Sequence, residues 1–179
     1  MLLNLLKRHR APLAPPEPEP RTLTPAEEIA ARHGDIYGAQ ATLLPIDAPL
    51  TIIDGGMHLA GQPLNSQLTS AGAFLIEACH TSSDYRLYAL SGGAIPKPGL
   101  VFSAKGGRPI EVEIWAVPEG TFGRFVANVP PPLAIGSCLL ESGRAVKSFV
   151  CEPCALTDAT EITHFGGWRA YRRGKNGKH

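Results

Sequence analysis

The sequence predicts an α+β fold, namely a small, mostly antiparallel β-barrel with a few short helices. Glycine and proline make up 36 of the 179 residues, about 20% against a usual value of about 12%, and they follow no collagen-like period. Glycine and proline interrupt helices and strands, so their high frequency excludes a helical bundle and favours short strands joined by turns. Hydrophobic residues make up 44% and charged residues 18% of the chain, so it can bury a core and is not a disordered protein.

The first part of the chain is expected to lie outside the main domain. Residues 1–20 form a proline-rich arm that is unsuited to a helix or a central strand. Residues 21–49 are predicted to hold a capped helix and a connector. Thr24 suits the N-cap, Pro25 suits the first helical position, and Glu27 completes a capping box.

From residue 50 the pattern is mainly that of β-strands, and we expect a barrel domain over residues 50–172. The clearest signal is the alternation at residues 110–115, which places three aliphatic side chains on one face and two glutamates with a tryptophan on the other. One helix interrupts the series after Pro118 and ends at Pro130–Pro132. The predicted strands are 50–53, 74–79, 85–90, 100–103, 110–117, 133–140 and 145–151.

The charge distribution argues against nucleic acid as a partner. All 16 acidic residues lie between positions 11 and 168, whereas eight of the 17 basic residues lie at the two ends of the chain. The central part is therefore acidic and carries no basic stripe, and residues 173–179 are expected to form a solvated basic tail. No apolar run approaches the roughly 18 residues of a membrane span. With four cysteines and no export signal, we expect a cytoplasmic protein without a membrane partner.

The most informative stretch for function is the glycine-rich segment 54–65, DGGMHLAGQPLN, which follows a predicted buried strand. Gly55 and Gly56 permit backbone angles at which successive N–H groups converge into an anion-binding nest. His58 follows that nest directly and is the best-placed group for proton transfer. A tight turn that carries a surface or core histidine is the competing interpretation.

Cysteines suggest a metal or redox site, but the spacing argues against both. Cys151 and Cys154 form a C-x-x-C motif, and a zinc site would require two further ligands at suitable spacing. Cys79, Cys138 and a few scattered histidines provide no second close pair. A thioredoxin-type site would also need its first cysteine at a helix N-terminus. We therefore predict no metal, no redox function and no cofactor.

Several other residues have both a functional and a structural interpretation. Glu111 and Glu113 could act as an acid/base pair, but two glutamates on one strand face are more typical of a solvated barrel exterior. Lys97 and Lys147 could bind an anionic substrate, although single lysines are mostly solvated. The second glycine pair, within residues 161–171, lies beside aromatic residues and indicates close backbone approach, either in packing or at a pocket rim.

A series of segments between about residues 50 and 172 carries a family resemblance. These segments are 58–65 with 67–69, 85–90, 97–100, 110–115, 122–125, 132–136, 146–152 and 162–171. Together, and in this order, they resemble the C-terminal domain of allophanate hydrolase, within the gamma-glutamylcyclotransferase-like superfamily. The resemblance does not extend to the proline-rich arm or to the helix that follows Thr24.

The resemblance implies a small barrel with a cavity at the strand ends and a role in urea or allophanate nitrogen catabolism. In that family the amidase domain deaminates allophanate, and the C-terminal domain is thought to decarboxylate the product, N-carboxycarbamate. His58 resembles the proposed catalytic histidine and would act as a general acid. Backbone N–H groups of the loop would hold a substrate carboxylate, and two polar side chains would add contacts. The residues expected to bind the substrate are Gly55, Gly56, Met57, Leu59, Gln62 and Asn65.

Two departures from the family pattern bear on the function. The sequence contains no amidase region, so we expect the small anionic substrate to come from a separate amidase subunit. Residues 128–132, NVPPP, occupy the place where gamma-glutamylcyclotransferases carry a catalytic glutamate, which argues against cyclotransferase activity. The alternative is a non-catalytic module that docks on a separate amidase. The sequence leaves open whether the chain forms a homodimer.

Overall fold

The computed structural model describes residues 50–92, 96–103 and 105–176. The predicted arm at residues 1–20 and the predicted helix at residues 21–49 lie outside these ranges. The elements of the described chain are β1 (Leu50–Asp54), α1 (Asn65–Ser70), β2 (Phe74–His80), β3 (Tyr85–Leu90), β4 (Lys97–Phe102), β5 (Glu111–Val117), α2 (Glu119–Ala127), β6 (Leu133–Leu139), β7 (Ala145–Cys151), a 3₁₀ turn (Pro153–Leu156), β8 (Thr160–Glu161), a second 3₁₀ turn (Thr163–Phe165) and α3 (Trp168–Asn176).

The strands form two sheets. The larger sheet has the order β2-β5-β1-β7-β6, and the smaller one has the order β4-β3-β8. Every strand pair recorded in the described ranges is antiparallel except β1 with β7. Mixed sheets with a few short helices confirm the predicted α+β class.

The predicted closed barrel is not confirmed, because the two edge strands of the larger sheet meet at one end only. An isolated bridge joins Thr81 to Leu140, and the Ser82 N–H donates to the Leu139 carbonyl at 2.8 Å. No β2–β6 ladder continues from this bridge in the described chain. A bulge between Leu75 and Glu77 interrupts the register of β2 with β5, and such bulges bend a strand away from its partner.

Strand β5 contributes to two hydrophobic cores because both of its faces are covered. Val112 and Ile114 lie in the larger core, together with residues of β3 and with Trp168 of α3. Trp115 and Val117 lie in the smaller core, against which side chains of α2 pack. The alternation in the sequence therefore separates two buried layers, not a buried face from a solvated one.

Helix α3 includes the first residues of the expected basic tail, since the described chain stays helical to Asn176. Trp168 and Tyr171 are buried three residues apart on one helix face, while Arg173 and Lys175 are exposed. The spacing of Trp168 and Tyr171 is typical of an amphipathic helix, which a count of charges alone does not reveal. None of the helices in the described ranges has the length and apolar character needed to cross a membrane.

At Gly99 the smaller sheet packs closely against the larger one. A Cβ atom at this position would lie 2.7 Å from Leu90 Cδ2 and 2.8 Å from Cys151 Sγ. Both distances are shorter than real Cβ contacts, so a side chain would push β4 away from β7.

We predict that Gly99→Ala lowers the free energy of unfolding by about 1–3 kcal/mol, the usual cost of overpacking. Gly123→Ala is the matched control, because a Cβ there meets no atom within 4 Å. Gly123 lies inside α2, so its replacement is expected to be neutral or to stabilise by about 0.5–1 kcal/mol. Urea unfolding of the three proteins measures the difference, and equal midpoints for Gly99→Ala and the wild type would contradict the packing argument.

Candidate active site

A cavity of about 700 Å³ opens beside the end of β1. The loop at residues 54–58 forms one wall, Gln67 of α1 and Arg124 of α2 lie on the helical side, and Lys97 and Phe149 come from β4 and β7. Elements from both sheets and two helices thus converge on the segment that the sequence singled out.

The Asp54 carboxylate determines the course of this loop. Its Oδ2 atom accepts hydrogen bonds from the Gly56 N–H at 2.9 Å and from the His58 N–H at 2.8 Å. Of the backbone donors expected to bind an anion, the Gly56 N–H is therefore already taken within the protein. The Met57 N–H has no hydrogen-bond partner among the described residues, and Met57 lines the cavity.

Gly56 is required here because the loop passes directly against Pro98. A Cβ atom at position 56 would overlap the Pro98 ring. This contact fixes the loop against the start of β4, next to Lys97. The glycine pair thus permits close packing as well as the backbone turn.

The His58 imidazole is held on both nitrogens and on its ring face. Nδ1 lies 3.6 Å from Asp54 Oδ1, and Nε2 lies 3.0 Å from Gln67 Oε1. The ring stacks on Phe149 with centroids 5.0 Å apart and meets the edge of Phe125 at 5.5 Å. His58 is 8% exposed, so it is a fixed cavity-wall residue and not a surface histidine.

The environment of His58 favours its charged form. Burial is the largest single effect and lowers the pKa of the imidazole, but the hydrogen bond to Asp54, the negative charge of Asp54 and the hydrogen bond to Gln67 together outweigh it. The net effect raises the pKa of His58 above its ordinary value of 6.5. A larger fraction of His58 is therefore protonated near neutral pH than of a free histidine.

A second set of contacts holds the far side of the loop. Glu113 Oε2 accepts the Ala60 N–H at 2.7 Å, and Arg169 Nη2 donates to the Ala60 carbonyl at 2.8 Å. Arg169 also pairs with Glu113 at 2.6 Å and with Glu111 at 2.8 Å. We call Ala60, Glu111, Glu113 and Arg169 the Arg169 clamp.

The Arg169 clamp corrects the interpretation of Glu111 and Glu113 as solvated exterior. Glu113 is 4% exposed, and the Trp115 indole N–H lies 3.3 Å from its Oε2 atom. Its charge is compensated by Arg169 and by hydrogen bonds, as a buried carboxylate requires. Neither glutamate lines the cavity.

The remaining predicted contacts lie away from the cavity. Leu59 is fully buried in the larger core. Asn65 Nδ2 donates to the His58 carbonyl at 2.7 Å, so this side chain supports the loop from behind. The Gln62 N–H donates to the Leu59 carbonyl at 2.9 Å within the turn that follows, and Gln62 does not line the cavity.

Gln67 and Arg124 line the cavity but were not selected as candidates from the sequence. Gln67 follows His58 by nine positions, and only the unpredicted helix α1 turns it back towards the imidazole. Arg124 lies in the last turn of α2, next to Phe125. The apolar stripe that predicted α2 was the sequence pattern from which its position could have been inferred. Lys97, which was weighed as a cation for an anionic substrate, does line the cavity, whereas Lys147 does not.

The second glycine pair and the C-x-x-C motif lie in surroundings that indicate a structural role. Gly167 packs on Glu111, because a Cβ there would lie 2.9 Å from Glu111 Cβ, whereas Gly166 has a φ of 70° and ends the second 3₁₀ turn in the left-handed conformation. Burial, followed by the proximity of Cys154, raises the pKa of the Cys151 thiol, which disfavours the reactive thiolate. Within the described ranges no group of three or more metal-ligating side chains occurs.

Comparisons with known proteins identify the domain. The sequence profile of the allophanate hydrolase C-terminal domain matches residues 50–173. The urea amidolyase of Lachancea kluyveri is 44% identical over 120 residues, which are 65% of this chain and 7% of that protein. The chain therefore spans less than a tenth of this curated relative.

Solved structures give the same result. The structure of Kluyveromyces lactis allophanate hydrolase superposes with a TM-score of 0.69 and 42% identity, covering 72% of this chain and 22% of that one. The E. coli protein c4763, described as specific to uropathogenic strains, superposes with a TM-score of 0.65 and 28% identity, covering 70% of this chain and 97% of that one. By profile, sequence and structure, this chain belongs to the allophanate hydrolase C-terminal domain family.

Proposed function

We propose that this chain decarboxylates N-carboxycarbamate, or a similar small carboxylated carbamate, with His58 as the general acid. The observation that carries the proposal is the His58 imidazole, which is fixed on the cavity wall between Asp54 and Gln67 with its pKa raised. Family membership supplies the substrate class, because allophanate hydrolase gives the family its name. A separate amidase would form the substrate.

The proposed reaction breaks one N–C bond of a dianion. The electron pair of that bond stays on nitrogen as carbon dioxide leaves, and the nitrogen takes a proton from the imidazolium of His58. The product is carbamate, and His58 regains its proton from water. A positioned general acid of this kind contributes about a hundred- to ten-thousand-fold in rate.

Gln67 occupies the place of the proton acceptor in the free protein. Its Oε1 atom lies 3.0 Å from His58 Nε2, and both residues line the cavity. In the proposed complex the substrate nitrogen replaces Gln67 as the partner of Nε2. Asp54, 3.6 Å from Nδ1, then stabilises the charge of the imidazolium on the opposite side of the ring.

The cavity wall also favours loss of charge from the substrate. Phe125, Phe149, Leu87 and Leu100 line the cavity, so part of it is apolar. A carboxylate placed against these side chains is poorly solvated, whereas carbon dioxide is neutral. The apolar wall therefore favours the transition state over the bound dianion.

Cyclotransferase chemistry has no matching carboxylate in this cavity. Asn128, Val129 and Pro130 line it at the place discussed above. Asp54 is the one carboxylate residue on the described wall, and its oxygens serve the loop and His58. The donor set thus fits a general-acid histidine better than a carboxylate base.

We predict that His58→Gln slows catalysed release of carbon dioxide by about a hundred- to ten-thousand-fold. The assay supplies allophanate and a purified amidase domain and follows carbon dioxide with and without this chain. His80→Gln is the matched control, since His80 is half-exposed and does not line the cavity. Unchanged release by His58→Gln would reject the catalytic proposal and favour a module that docks on the amidase, which co-sedimentation of the two proteins would detect.

We predict that Asp54→Asn lowers the pKa of His58, because it removes a negative charge that raises this pKa while keeping an oxygen for the loop N–H groups. NMR titration measures this pKa, with the signal assigned from its loss in His58→Gln. Because the folded-state pKa is raised, the Asp54–His58 interaction stabilises the fold fully below about pH 6.5 and is lost as pH rises through the folded pKa. The mutant should therefore lose more stability at pH 6 than at pH 9. An equal loss at both values would contradict the assignment.

A further inference from the structure

Two cations line the cavity without a partner among the described residues. Lys97 of β4 and Arg124 of α2 both line it, and neither makes an ion pair or a side-chain hydrogen bond with any described residue. The one negative group on the described wall, Asp54, is occupied by two backbone N–H groups and faces His58. The described wall of the cavity therefore has an excess of positive charge.

The two cations lie on different walls, and each neighbours a residue that contacts the site. Lys97 precedes Pro98, whose ring packs against Gly56 of the loop. Arg124 precedes Phe125, whose ring meets the edge of the His58 imidazole. Both charges are thus tied through adjacent residues to the parts of the site that would hold and protonate a ligand.

Charge, not shape, has to select a small ligand here. A volume of about 700 Å³ lies within the range of pockets that bind drug-sized molecules, so a molecule as small as N-carboxycarbamate is not confined by fit. Lys97 is half-buried, so its charge acts on a ligand more strongly than it would in water, whereas Arg124 is exposed and acts on the ligand more weakly. Their number and placement therefore determine which ligand charge is preferred.

We propose that Lys97 and Arg124 are the specificity-determining residues of this cavity and that they select small dianionic dicarboxylates over monocarboxylates. The identity of the natural substrate rests on the proposed function, whereas the preference for a dicarboxylate does not. The binding itself requires no turnover, so it is tested apart from the reaction.

The test measures binding of malonate, in which a CH₂ group replaces the NH of N-carboxycarbamate, against acetate as the monoanion. Isothermal titration calorimetry of the whole chain should give malonate a Kd at least about tenfold below that of acetate. Lys97→Gln and Arg124→Gln should each raise the malonate Kd about tenfold, the loss of one charge-assisted contact. Lys147→Gln is the matched control, because Lys147 is exposed and does not line the cavity.

Each outcome decides between the two proposals. If malonate binds no more tightly than acetate, or if both cavity variants bind malonate like the wild type, the cation pair is rejected, whatever the rate assay shows. If the malonate preference depends on Lys97 and Arg124 but His58→Gln leaves carbon dioxide release unchanged, the cation pair stands and the proposed reaction falls. Loss of malonate binding in Lys147→Gln would also reject the assignment, since it would show a general effect of surface charge.

Discussion

The Asp54 carboxylate is the interaction on which the candidate site depends. It is 4% exposed, and an ionised carboxylate so buried must be compensated by hydrogen bonds or opposite charge. The N–H groups of Gly56 and His58 provide the first and the His58 imidazole provides the second. Loop geometry and histidine charge are therefore coupled, because the same two oxygens serve both.

Strand β5 places a second buried carboxylate on the other side of the loop. Its two faces are covered by different layers of the structure, so Glu113 has no route to solvent and instead binds Arg169 and the Ala60 N–H. The loop is thus held between Asp54 on the cavity side and the Arg169 clamp behind it. Neither contact involves His58 Nε2, whose partner in the described chain is Gln67.

The strands were predictable where apolar and polar residues alternate or where glycine and proline mark the limits of a strand. Strands β3 and β7, for example, have the predicted limits. The position of the loop with His58 was also predictable, since paired glycines after a buried strand indicate a tight backbone turn. The burial of Glu113 was not, because alternation distinguishes the two faces of a strand but does not say whether both are covered. Gln67 was missed for a related reason, because α1 has six residues and no side-chain cap, too short for helical periodicity to show.

The Arg169 clamp has a consequence for the order in which the site is assembled during synthesis. Arg169 follows Ala60 by 109 residues, so at about 5–20 residues per second the loop emerges roughly 5 to 20 seconds before its clamp is made. During that interval Glu113, once made, has no cationic partner, and the buried position it later occupies is unfavourable for it. The histidine is thus among the first groups of the described chain to be translated, yet the Ala60 side of its loop gains its Arg169 contact only when α3 has been made.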